Sequence, residues 1–288
     1  MWFFLAVGSA FFQVLRNMSM KRLGHALDEH INVWGRFTFL LPFTGAATWW
    51  VGMPAVDPNI WWVCILFSFT QIVATSSLSK GLKLSDISLV TSLWKISILF
   101  LLPWGLLTLN EVPSPMGVVG VVVSVIGVYV LNISRNQVSV WSPFLALVTD
   151  PGQRYTLISA LFFAPSVILM KSIVLMSDPY FGTFIAYVFT SSIITPYTIY
   201  RSARNFRQIP RYRWDFISLG AFAAVSTVLG SMAYELTLSS YVEAIKQVEI
   251  LFALAIGYFV FQEQARVRVI WPGSLLILLG VILLKLWG

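Results

Sequence analysis

Residues 9–21 read SAFFQVLRNMSMK and residues 159–171 read SALFFAPSVILMK. Both stretches open on Ser-Ala, run through aromatic and aliphatic side chains and close on Met-Lys, and Asp28 follows the first as Asp178 follows the second. The correspondence continues in the same order. Gly81-Leu82-Lys83-Leu84-Ser85 aligns with Glu235-Leu236-Thr237-Leu238-Ser239, Glu111 with Glu263, and Gly120 and Gly127 with Gly273 and Gly280. The offset stays between 150 and 154 residues along the chain, a regularity that two unrelated apolar halves do not sustain. The chain reads as one unit duplicated.

Composition says what the unit is made of. The 288 residues are 58% hydrophobic and 11% charged, whereas a soluble domain carries roughly 25% charged residues. That is too little charge to coat a water-facing surface, so a soluble enzyme is disfavoured from the start. Twelve Trp, 22 Phe and 18 Gly suit helices whose aromatics sit at membrane interfaces and whose small residues let backbones touch. A bilayer-spanning helix needs about 20 mostly apolar residues. Charge-free runs at 37–56, 58–79, 116–133, 179–200 and 216–234 approach or exceed that length, and shorter runs bounded by single charges supply the others. Ten helices are predicted, near 2–21, 31–52, 59–80, 87–109, 115–134, 154–173, 179–200, 214–236, 241–262 and 269–287. The first lacks a basic leader and a small-residue cleavage site, and is read as a retained helix.

Five helices per repeat is an odd number, so the second copy enters the membrane upside down relative to the first. The expected fold is an all-α integral membrane protein of ten transmembrane helices in two inverted five-helix repeats, 1–134 and 154–288, joined by a loop at 135–153. Inverted repeats of this kind build many secondary transporters.

The net charge of +7 belongs to orientation and not to nucleic acid, because the basic residues sit between apolar spans instead of on one face. Odd-numbered loops carry Lys21, Arg22, Lys80, Lys83, Arg135, Arg154, the basic run from Arg201 to Arg213, Arg266 and Arg268, while the opposite side holds Lys171 and Lys285. The bias predicts odd loops in the cytoplasm and both termini outside, in a bacterial cytoplasmic (inner) membrane. Cys64 is the single cysteine, which leaves no intrachain disulfide and no cysteine-based metal site.

Four charges fall within apolar spans: Lys95 in the fourth helix, and Glu243, Lys246 and Glu249 in the ninth. A charge at the bilayer centre costs ~2.5–3.5 kcal/mol even on the lenient insertion scale, and such residues face water or a partner inside the bundle. Glu243, Lys246 and Glu249 recur every third residue and make one polar face on an apolar rod. Lys95 lies 16 residues before Glu111 and Lys246 lies 17 before Glu263, so the repeat sets the two lysines at matching depths. One reading is a midplane site in which the lysines hold a carboxylate or phosphate, with Glu249 or Glu243 as counter-ion, amine partner or proton carrier. The other is a structural Lys95–Glu249 pair that fixes helix packing. Gln13 and Arg16 on the first helix, Gln71 and Trp94 on the third and fourth, and Tyr187 and Tyr234 from the second repeat are candidates for the remaining wall. Ser92 and Thr75 belong to the same group. Each of these also serves as packing glue between helices. Glu111 and Glu263 are read as capping residues, Arg36 as an interfacial anchor, and the glycines at 120, 127, 273 and 280 as close-packing stripes.

With the five-plus-five layout, Arg36 near the start of helix two, and the matched blocks 78–90 leading to Asn110-Glu111 and 234–240 leading to Gln262-Glu263, the chain resembles the EamA-like group of the drug/metabolite transporter superfamily. The resemblance covers nearly its whole length. It implies helices one to four and six to nine around a central cavity, helices five and ten packed together at one side, and alternating access. It also implies, for many members, termini in the cytoplasm, opposite to the charge bias here. Lysines on helices four and nine take a binding role in the phosphate- and nucleotide-sugar-carrying branches, whose flanking residues this chain does not match closely.

The expected function is movement of a small anionic or zwitterionic metabolite across the lipid bilayer, such as an amino acid, organic acid or phosphorylated compound, with a proton or other ion as the coupling species. Two rivals remain: an exporter of cationic drugs or polyamines, and a flippase for a lipid-linked carrier. Helices one and six carry Arg16 and Lys171 and no acid, which counts against the first. His25 and His30 flank Asp28 and Glu29, a spacing read as a solvated loop and not a metal site. No cofactor fingerprint or nucleophile–base pattern is present, so neither an enzyme nor a cofactor is expected. The apolar exterior of helix ten leaves lipid or a second copy, in a homodimer, as its neighbour.

Overall fold

The structure, a computed structural model, describes the chain outside residues 25, 85–89, 91–92, 137–149, 253–254, 256–263 and 288, and describes the backbone alone at 21, 82–83, 131–136 and 264–271. Among the described residues it is helical, with no strand. The helices are α1 (Trp2–Gly24), α2 (Glu29–Thr38), α3 (Leu41–Val51), α4 (Ile60–Leu84), α5 (Ser97–Leu109), α6 (Pro115–Asn136), α7 (Pro151–Leu175), α8 (Pro179–Phe206), α9 (Arg213–Leu236), α10 (Ser239–Lys246) and α11 (Gln264–Trp287), with a 3-10 turn at Ile209–Tyr212.

Local chemistry sets where these helices begin. Pro115, Pro151 and Pro179 each open one, where a missing N–H costs nothing. The two aligned aspartates do the same work: Asp28 accepts the Ile31 N–H at 3.0 Å to cap α2, and Asp178 accepts those of Tyr180 and Phe181 at 2.6 and 2.9 Å to cap α8.

The helix expected over 31–52 is two helices, α2 and α3, separated at Phe39 and Leu40. Pro42, beside the start of α3, has no N–H for the Thr38 carbonyl, and its ring obstructs the preceding turn. Gly220 of α9 then packs directly on the Phe39 backbone, where any side chain would collide.

Three stretches are long and apolar enough to cross a membrane, Ile60–Gly81, Pro151–Leu175 and Ile209–Leu236, and Leu93–Leu109, Pro115–Val130 and Pro272–Trp287 are shorter apolar helices. The chain forms two compact units. The first is Met1–Ile72 with Leu169–Leu236 and the second Val73–Ile168 with Thr237–Gly288, so each takes residues from both halves of the sequence, and α4 and α7 contribute to both.

In the first unit α1 lies along α9. Ser9 and Ser226 each donate their hydroxyl to the other's carbonyl, at 2.7 and 2.9 Å, a close approach allowed by small residues. Hydroxyls also tie α8 to its neighbours, through Thr38–Ser191 at 2.7 Å, Ser68–Thr190 at 3.0 Å and Thr183–Ser231 at 2.8 Å. In the second unit α6 lies along α11, and the glycine stripe read from the sequence is the contact. A methyl group on Gly127 would stand 2.6 Å from the Ile277 nitrogen, and one on Gly120 would stand 3.1 Å from the Gly280 carbonyl.

Candidate functional site

The buried charges sit where helices break. In the second unit, residues 93–95 are helical, Ile96 is a turn, and α5 starts at Ser97. The Ile96 N–H reaches the Leu93 carbonyl at 3.2 Å and the Leu99 N–H reaches Ile96 at 2.9 Å, both bonds one residue shorter than an α-helix makes. The expected helix over 241–262 is interrupted in the same way. α10 ends at Lys246, Gln247 and Val248 form a turn, and 249–252 are helical again. Here Gln247 N–H meets Ala244 at 3.2 Å, Val248 meets Ile245 at 3.0 Å and Ile250 meets Gln247 at 3.1 Å. Such mid-helix tightening often marks a functional hinge. Each break directly follows a lysine.

Each lysine is paired. Lys95 Nζ donates to Glu249 Oε1 at 2.5 Å, with both side chains about nine-tenths buried, and Lys246 Nζ donates to Glu243 Oε1 at 2.6 Å. Lys95 also stands 5.1 Å from the centre of the Trp94 ring, which meets Phe163 of α7 edge-on at 5.0 Å. The four charges thus make two neutral pairs, each held in a setting where removing one member leaves an uncompensated charge. Glu111 caps a helix remote in sequence, the one that carries Glu243 and Lys246, accepting the Ser239 N–H at 3.1 Å and its hydroxyl at 3.0 Å.

The other candidates lie in the first unit. Arg16 is buried on α1 and donates through Nε and Nη2 to Asn17 Oδ1 at 3.3 and 3.0 Å. Gln13 is half-buried on α1, while Gln71 on α4 and Tyr234 on α9 are buried. Tyr187 packs against Phe37 and Phe67, ring centres 5.8 and 5.7 Å apart. The structure brings Lys95, Trp94 and Glu249 together and Glu243 with Lys246. Ser92, Glu263 and His25 lie outside the described residues. Arg36 sits over the Phe37 ring, and His30 meets Glu29 at 3.9 Å and Tyr197 edge-on. No group of three potential metal ligands occurs among the described residues.

Sequence reasoning passed over Gln247. It is fully buried, and neither its Oε1 nor its Nε2 has a hydrogen-bond partner among the described residues. Its position beside Lys246, on the expected helix that carries the three charges, was the available signal.

The model of the EamA-like transporter family matches residues 1–133 and 151–286. Among solved structures, a crystal structure described simply as that of a protein shares the fold with a TM-score of 0.72 at 13% identity, over 99% of this chain and 95% of its own. No curated protein matches the sequence significantly.

Proposed function

The chain belongs to the EamA-like transporter family of the drug/metabolite transporter superfamily, a family of multi-pass membrane transporters, and from that premise we propose that it carries a small anionic or zwitterionic metabolite by alternating access. Its family suggests a role other than catalysis, and a transporter of this kind sits in a lipid bilayer and binds small molecules.

The observation that carries the proposal is the Lys95–Glu249 pair at 2.5 Å beside a helix break. A purely structural ion pair is replaceable by apolar packing without loss, whereas intramembrane charges lie along solute and proton pathways, and transporter sites are built where helices are discontinuous. The breaks after Lys95 and Lys246 are 151 residues apart, within the offset of the duplication, which supports two inverted five-helix repeats, 1–134 and 154–288 about the loop 135–153. Lys95 and Lys246 bind the anionic group, Glu249 and Glu243 act as counter-ions, and Trp94 shields the Lys95 ammonium. Gln71, Gln13, Arg16, Tyr234 and Tyr187 lie in the first unit and are candidates for solute contact there. An anion that takes the place of Glu249 at Lys95 leaves one buried negative charge in excess, so the balance is kept by a zwitterion or by a proton that travels with the anion. The Lys/Arg bias supports odd loops in the cytoplasm of a bacterial inner membrane, with both termini outside.

The test is a thermal-shift screen of the purified protein against amino acids, organic acids, sugar phosphates and quaternary amines, followed by uptake into proteoliposomes. Stabilisation by anionic or zwitterionic compounds, lost in Lys95→Met, is expected. Stabilisation by hydrophobic cations alone overturns the reading in favour of cation export.

A further inference from the structure

A carboxamide has two N–H donors and an acceptor oxygen with two lone pairs, and burying such groups without partners is destabilising. Gln247 is in that position, with no exposed surface and both polar atoms unpaired among the described residues. It follows Lys246 directly and lies one turn beyond Glu243, on the same side of the helix by the four-residue spacing. Other buried polar atoms in this unit share its condition, namely Trp94 Nε1, Ser97 Oγ, Ser124 Oγ and both polar atoms of Gln153, and of these the first two flank Lys95. Each paired lysine thus has neutral, unsatisfied hydrogen-bonding groups next to it in the chain. Orphaned polar atoms in a native protein call for an explanation, and for those next to the two lysines a solute held there gives one.

We propose that Gln247 is a specificity-determining residue: its carboxamide hydrogen-bonds a neutral donor–acceptor group of the solute, a hydroxyl or an amide, while the neighbouring ion pair accommodates the charged end. This rests on the transport reading above. The empty protein keeps an unsatisfied amide so that the right solute satisfies it. A solute lacking the group leaves Gln247 buried and unpaired, and polar sites reject such analogues strongly.

The experiment uses the full chain and matched solutes that differ by one hydroxyl, malate against succinate and serine against alanine, in thermal shift and in competitive uptake into proteoliposomes. Wild type is expected to prefer the hydroxylated member of at least one pair by about 10-fold or more. In Gln247→Met the preference falls towards unity while uptake of the deoxy member persists, and the melting temperature without solute rises by about 2–4 °C as the unpaired amide is removed. Gln247→Asn retains part of the preference. A fall in the solute-free melting temperature of Gln247→Met, a preference that survives the substitution, or a wild type that distinguishes neither pair overturns the proposal. A buried water held by Gln247 gives the first two of those results together. Lys95→Met separates the two readings. Loss of uptake of both members with the Gln247 effect absent sinks this inference alone, and full uptake in Lys95→Met sinks the lysine site whatever Gln247 does.

Discussion

The Glu111 carboxylate accepts both the backbone N–H and the hydroxyl of Ser239, 128 residues away in the chain, with both oxygens 3.1 Å from the nitrogen. Residue 238, where a capping side chain would normally stand, is Leu and offers no acceptor. Glu111 supplies it from the end of another helix, and its negative charge also suits the positive end of α10. Losing a cap costs about 0.5–2 kcal/mol. Glu111→Ala is therefore expected to lower the melting temperature by several degrees, and Glu111→Gln, which keeps an acceptor oxygen, by less. Thermal unfolding of the two variants in detergent checks the order.

The Lys95–Glu249 pair separates stability from transport. Removing one member of a buried pair costs roughly 3–5 kcal/mol because the survivor is left uncompensated, while replacing both with apolar groups is often neutral. Glu249→Gln and Lys95→Met should each destabilise, and the double variant Lys95→Met/Glu249→Leu should recover most of the wild-type melting temperature. If the pair served packing alone, the double variant would also recover uptake. The expected result is a stable protein that does not transport.

How much of this was legible in the sequence depends on the physics of each feature. The membrane helices were legible because an apolar run of membrane length has few other uses, and the charges at 95, 243, 246 and 249 stood out against it. Pairing was only partly legible: Glu243 and Lys246 are one turn apart, but Lys95 and Glu249 are 154 residues apart and only the fold joins them. The break at Phe39 and Leu40 had a local signal in Pro42. Those at Ile96 and at Gln247–Val248 had no such signal, since neither glycine nor proline stands at the break. Gln247 stood out less than Gln13 or Gln71 because it sits among Glu243, Lys246 and Glu249, whose charges dominate that segment. The composition of the compact units, with Gln13, Arg16, Gln71, Tyr187 and Tyr234 in one and the charged pairs in the other, depends on which helices touch, and that is not written in any single span.

The α6–α11 contact makes a prediction about backbone approach. A methyl group on Gly127 meets the Ile277 nitrogen at 2.6 Å and the Gly273 carbonyl at 2.9 Å, and backbone atoms do not move aside as a flexible side chain would. Overpacking of this sort costs typically 1–3 kcal/mol. Gly127→Ala should lower the melting temperature measurably and Gly127→Val should lower it further. Gly52, with a methyl position that meets nothing within 4 Å but with φ near 100°, should by contrast be penalised by backbone strain alone, so that Gly52→Ala is destabilising while Gly52→Asn is less so.

Asp28 links the first unit to pH. Burial by itself would raise its carboxyl, but the Ile31 N–H, the Asn205 amide and the nearby His30 outweigh burial and hold it below the ordinary value of 3.8. A carboxyl lowered in the folded state is charged there at a pH where the unfolded chain already binds a proton, so its stabilisation is complete above the ordinary value and disappears as pH falls through the folded one. Removing the charge with Asp28→Asn should lower the melting temperature at pH 6 to 7. That deficit should stay constant down to about pH 4.5 and narrow on further acidification, as wild type loses what the variant never had. Parallel melting curves for the two proteins from pH 7 to pH 3 test this, and a deficit that widens towards acid would show that the Asp28 carboxyl is raised and not lowered.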